Sequence, residues 1–67
     1  MAHSTKRICS GYRDNLLARN QPFSFKVNNL PDALACISRI RARGYIVRAA
    51  WFNIVQNGQT INRTRIV

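Results

Sequence analysis

The chain has 67 residues, with eleven Lys and Arg against two Asp, no Glu, a formal net charge of +9 and a sequence pI near 11.5. That length allows one small domain with about 60% of its extended surface buried, which excludes a second domain and a large enclosed pocket. No apolar run approaches the about 20 residues of a membrane span, and the first residues lack the apolar segment of a signal peptide, so a cytoplasmic protein with no membrane partner is expected.

Residues 1–20 read as a basic N-terminal arm followed by a short element. The first ten residues are polar and basic, and termini are mobile unless tied down. Lys6 and Arg7 can contact a phosphate backbone from such an arm, or simply keep it solvated. His3 has no companion ligand nearby. From Gly11 to Asn20, Tyr12, Leu16 and Leu17 have the spacing of a short helical turn laid on the core edge. An extra edge strand is the alternative.

Residues 21–67 form the expected single β-α-β-β domain. Pro22 to Val27 alternates, with Phe23, Phe25 and Val27 toward a core and Ser24 and Lys26 away from it. Asn29 is placed to cap a helix, with Pro31 in its first turn and Asp32 completing a capping-box-like pair. Leu30, Ala33, Leu34, Ile37 and Ile40 form the helical stripe that covers the sheet. Gly44 stops the helix. Arg39, Arg41 and Arg43 crowd its last turn, where the helix dipole favours cations, and Arg39 and Arg43 are also available to an anion.

Gly44 to Val67 carries two β-rich runs around Asn57-Gly58, the sequence of a two-residue type I′ hairpin turn. With Gln56 and Gln59 as the closing pair and unbroken alternation, Ile54 faces Ile61, Phe52 faces Arg63, and Ala50 faces Arg65. Val47, Ala49, Trp51 and Ile66 then form the core face. Lys26, Arg48, Arg63 and Arg65 surround Phe52, Ile46, Ile54 and Ile61 on the open one. The expected fold is α+β, with one helix on a three-stranded, mostly antiparallel sheet. The final strand lies between the other two, a placement that makes every neighbour antiparallel.

No catalytic constellation is present: one His lies in the arm, one of the two carboxylates caps a helix, and there is no Gly-rich phosphate loop. A non-enzyme without cofactor or metal is expected, and Cys9 and Cys36 lack the count or spacing of a disulfide scaffold or metal site. Nine of the eleven basic residues are Arg, suited to bidentate phosphate contacts. The expected function is nucleic-acid binding, to DNA or RNA, by Lys26, Arg48, Arg63 and Arg65 around Phe52, aided by Lys6, Arg7, Arg39 and Arg43. Like charges about 8 Å apart in water repel by only about 0.5 kcal/mol, so the cluster can exist without a partner. The alternative is a protein-interaction module, an inhibitor or adaptor docking on an acidic surface of a larger partner, or a homodimer. A small basic chain is compatible with the proteins that mobile elements encode, although no residue motif carries that analogy.

Overall fold

The computed structural model describes residues 4–67. It comprises β1 (Thr5–Asp14), β2 (Gln21–Val27), α1 (Leu30–Ala42), β3 (Ile46–Gln56) and β4 (Gln59–Arg65). The four strands form one sheet in the order β2-β1-β3-β4, with antiparallel pairing throughout. The α+β class is as expected. The strand count is corrected from three to four, and the central place next to β3 belongs to β1, with β4 at the sheet edge.

The expected N-terminal arm and short helix are therefore corrected to a ten-residue strand and a loop. His3 lies outside the described residues. Strand β1 escapes pattern reading because its helix-side positions are small. Cys9 is fully buried, its Sγ 3.9 Å from the Ala33 carbonyl oxygen of α1. Gly11 lies opposite Phe23 and Ala50, and a Cβ at Gly11 would collide with the Ala49 carbonyl oxygen and press on the Phe23 ring. A central strand that lets a helix and a phenylalanine ring approach this closely cannot show the large alternating apolar residues by which strands are usually found. Leu16 and Leu17, expected against the core, are 104% and 93% exposed in the loop after β1.

The helix caps follow the residue chemistry. The Asn29 side chain accepts a hydrogen bond from the Asp32 N–H at 2.9 Å, and the Asp32 carboxylate accepts one from the Asn28 N–H at 3.1 Å. Gly44 takes a φ of +91° just past the helix, and its N–H donates to the Arg41 carbonyl. Ala33, Ile37 and Ile40 are buried, while Leu30 and Leu34 flank that stripe at 40% and 47% exposed. The helix packs over β1, β2 and β3. The core comprises Cys9, Phe23, Val27, Ala33, Ile37, Ile40, Val47 and Ala50, with Tyr45, Phe52, Ile66 and Val67 packed against it.

The second hairpin turns as expected: Asn57 and Gly58 have φ of +51° and +80°, and Gln56 pairs with Gln59. The register beyond the turn is corrected. Val55 faces Thr60 but Ile54 faces Asn62, so Ile61 is an extra, bulged residue in β4. Arg63 consequently faces Asn53, and Arg65 faces Trp51. A second irregularity lies between β1 and β3, where Tyr12 faces Ala49 and Arg13 faces Val47, leaving Arg48 extra. Each bulge inverts the alternation beyond it. Val47, Ile66, Arg63 and Arg65 therefore lie on the expected faces, while everything between the two bulges is reversed. Phe52 packs beneath the helix, and Ala49 and Trp51 belong to the bare face.

Candidate nucleic-acid interface

The bare face can be built row by row from the register. One row across the sheet reads Lys26, Ile8, Asn53, Arg63, and the next reads Ser24, Ser10, Trp51, Arg65. At about 4.8 Å between neighbouring strands, the row from Lys26 to Arg63 spans about 14 Å of backbone. Lys6, opposite Val55, and Tyr12, opposite Ala49, lie on the same side of the sheet by alternation.

Trp51 is the centre of this face. The Arg63 guanidinium carbon lies 4.1 Å from the Trp51 ring centroid, that of Arg65 lies 5.6 Å away, and Tyr12 meets the indole edge-on at 6.2 Å and 89°. A cation over an indole face at a partly exposed site contributes about 0.5–1 kcal/mol. That biases the Arg side chain toward the ring but falls short of the about 1.5–2 kcal/mol of rotamer entropy lost on fixing it, so the side chain can swing to a ligand. The guanidinium held over the indole is itself a flat surface on which a base can stack, with N–H groups free for phosphate oxygens.

Beside this cluster runs an open groove of about 350 Å³ whose lining includes Ser10, Ser24, Asn53, Thr60 and Arg63. Ile8 and Val55 complete the lining, and hydrogen bonds hold the polar base in place. Asn53 is 7% exposed, and its side-chain NH2 donates to Ser10 Oγ at 2.7 Å and to the Ile8 carbonyl at 3.2 Å. Hydroxyl and amide groups at this depth can meet the edge of a base laid on the sheet.

The two carboxylates are spent elsewhere. Asp14, 8% exposed, accepts from the Asn20 N–H at 2.7 Å and from Arg48 Nη1 at 2.6 Å. The Asn20 N–H, followed by Arg48, holds its carboxyl below the ordinary carboxylate value. Asp32 caps the helix. Among the described residues the Arg48–Asp14 contact is the ion pair; Arg63 and Arg65 lie over the Trp51 ring, and Arg65 Nε also donates to the Val67 oxygen at 2.8 Å.

Of the site residues expected from sequence, the structure brings Lys26, Arg63, Arg65 and Lys6 to one face. It removes Phe52, which packs against the core on the helix side. Arg48 sits at the β3 bulge with its charge matched by Asp14, set apart from the Trp51 cluster. Arg7 lies between Val27 and Ile54, residues of the helix side. Arg39 and Arg43 line a separate cleft with Arg13 on that same side. Ile54 follows Phe52 to the helix side, whereas Ile46 and Ile61 stay 69% and 57% exposed. Sequence reasoning missed Trp51, Tyr12, Ser10 and Asn53. The alternation of Ser10 and Tyr12 opposite Ser24 and Pro22 would have revealed them once β1 was read as a strand. No protein family, no curated protein and no solved structure matches this chain.

Proposed function

We propose that this protein is a non-catalytic nucleic-acid-binding protein that lays a single-stranded segment of DNA or RNA across the bare sheet face. The observation that carries the reading is the placement of Arg63 and Arg65 about Trp51, with Tyr12 beside them, on a face where, among the described residues, no Asp pairs those arginines. Bases stack on Trp51, Tyr12 or the Arg63 plane, and Lys6, Lys26 and Arg65 neutralise phosphates along the rows. Unpaired bases fit better than a duplex, because stacking on ring planes requires bases that are not already stacked on one another.

Trp51 is the one tryptophan, so its fluorescence reports the site directly. Titration with a labelled single-stranded oligonucleotide should quench Trp51 as anisotropy rises. Arg63→Ala should lower the log–log salt slope by about 1. Binding that leaves the Trp51 emission untouched would place the nucleic acid on another surface and sink the proposal.

A second reading, docking on an acidic protein surface, is favoured by one feature. The loop after β1 presents Leu16 and Leu17 side by side in solvent while Asn15 Oδ1 accepts from the N–H groups of Leu17 and Ala18, both at 2.9 Å. An ordered loop that exposes two leucines is suited to a partner's apolar pocket. A stoichiometric protein retained by the tagged chain after nuclease treatment, and lost with Leu16→Ser/Leu17→Ser, would favour this reading.

A further inference from the structure

On the helix-covered side, Arg13 of β1, Arg39 of α1 and Arg43 at the C-cap of α1 converge on a cleft of about 170 Å³ whose walls include Phe25, Cys36 and Ile40. Among the described residues no carboxylate lines it. The helix dipole accounts for cations in the last turn of α1, Arg39 included, but not for Arg13, which is delivered by a strand. The Arg13 guanidinium is wedged between rings, 4.3 Å from the Tyr45 centroid and 5.8 Å from that of Phe23. Its Nε is buried and, among the described residues, has no hydrogen-bond partner. A buried, unpartnered donor on a cation is costly, and natural structures leave few of them without a reason.

We propose that this cleft is a second oxyanion site, one that takes a phosphate group between Arg13, Arg39 and Arg43. A carboxylate is satisfied by one forked arginine, whereas a tetrahedral phosphate offers oxygens to several guanidinium groups at once. The volume is that of a few water molecules, enough for the phosphate and little attached to it. The site lies across the sheet from Trp51 and stands whether or not the bare face binds nucleic acid. Its phosphate comes either from a nucleic-acid backbone passing over the β2 edge, where Phe25 is 39% exposed, or from a free phosphate compound.

The chain carries its own reporter. Cys36 lines the cleft and is half-buried, while Cys9 is fully buried and its thiol is pushed up to about 11 by burial, so a neutral maleimide reads Cys36 alone. Inorganic phosphate should shift the Arg13 Nε–H resonance saturably and slow labelling of Cys36, with chloride and acetate at equal ionic strength doing neither. Arg39→Gln and Arg43→Gln, at an exposed position of the helix and at its exposed C-cap, should weaken the phosphate effect, and Arg63→Gln/Arg65→Gln should leave it intact. With a single-stranded oligonucleotide, a salt slope lowered by about 2 in Arg39→Gln/Arg43→Gln assigns the phosphate to a nucleic-acid backbone, and an unchanged slope assigns it to a free compound. An Arg13 Nε–H that ignores phosphate, or responds equally to chloride, overturns the site.

Discussion

The helix-covered side of the sheet has Cys9, Gly11 and Ala50 at its centre, ringed by Phe23, Val27 and Val47, whereas the bare side has Trp51, Asn53 and Ser10 at its centre with Arg63 and Arg65 beside them. The small residues let α1 approach closely enough to bury Ala33, Ile37 and Ile40. The bare side has its largest ring where the covered side has its smallest residues. Adjacent positions of one strand, Ala50 and Trp51, serve these opposite ends. One side is therefore shaped by exclusion of water and the other by ordered cations in contact with it. The two bulged residues, Arg48 and Ile61, decide which residue goes to which side.

The comparison breaks most severely at Gly11. A side chain there meets Ala49 and Phe23, so Gly11→Val should cost at least about 3 kcal/mol. That is a large part of the roughly 3–10 kcal/mol that a domain of this length holds. Circular dichroism melts should show a much lowered or lost transition, and a melting temperature near that of the wild type would mean that β1 does not pack as described.

Trp51→Ala tests the other side. It removes the ring on which the bare face is organised and should weaken binding of a single-stranded oligonucleotide by about 10- to 100-fold, the worth of one stacked base. The melting temperature should change far less than in Gly11→Val, because Trp51 is only partly buried. Equal losses of stability in the two variants would erase the distinction between the faces.

Deleting Ile61 sharpens the comparison. The bulge makes Ile61 the extra residue, so its removal should restore an unbroken ladder with Arg63 still opposite Asn53 and Arg65 still opposite Trp51. Oligonucleotide affinity should be unchanged. In an unbulged hairpin Arg63 and Arg65 start opposite Phe52 and Ala50, so the same deletion would carry both arginines across to the Trp51 face and the affinity would change.

The smallest effect concerns Asp14. Its folded-state pKa lies below the ordinary value because the Asn20 N–H and Arg48 favour the carboxylate. Asp14 therefore adds stability that is complete above about pH 4 and is lost as pH falls through its folded value. Melting temperatures followed from pH 6 to pH 2 should show a shallower acid limb in Asp14→Asn than in the wild type. Parallel acid limbs would mean that the pair does not couple to folding.

Local chemistry was legible residue by residue. Asn29, Pro31 and Asp32 announced the helix start, Gly44 its end, and Asn57-Gly58 the hairpin, because each answers a backbone requirement within a few residues. Strand β1 was not legible, since Cys9 and Gly11 are selected by what packs on them rather than by an intrinsic strand preference. Nor was the centre of the site. Alternation counted from the turn stays correct only until the ladder admits an extra residue, and nothing near Ile61 or Arg48 marks either as one.

The amino-acid sequence by itself determined the helix, its caps, the tight turn and the surplus of arginine, all of which follow from short-range sterics, hydrogen bonding and simple charge count. Only the tertiary structure decided that β1 fills the middle of the sheet and that Trp51 rather than Phe52 stands among the arginines. Sheet order and bulge position depend on how a helix, two hairpins and their rings fit together in space. That fit is a property of contacts between residues 24 to 45 positions apart, such as Cys9 with Ala33 and Ile8 with Asn53, and a local pattern does not contain it.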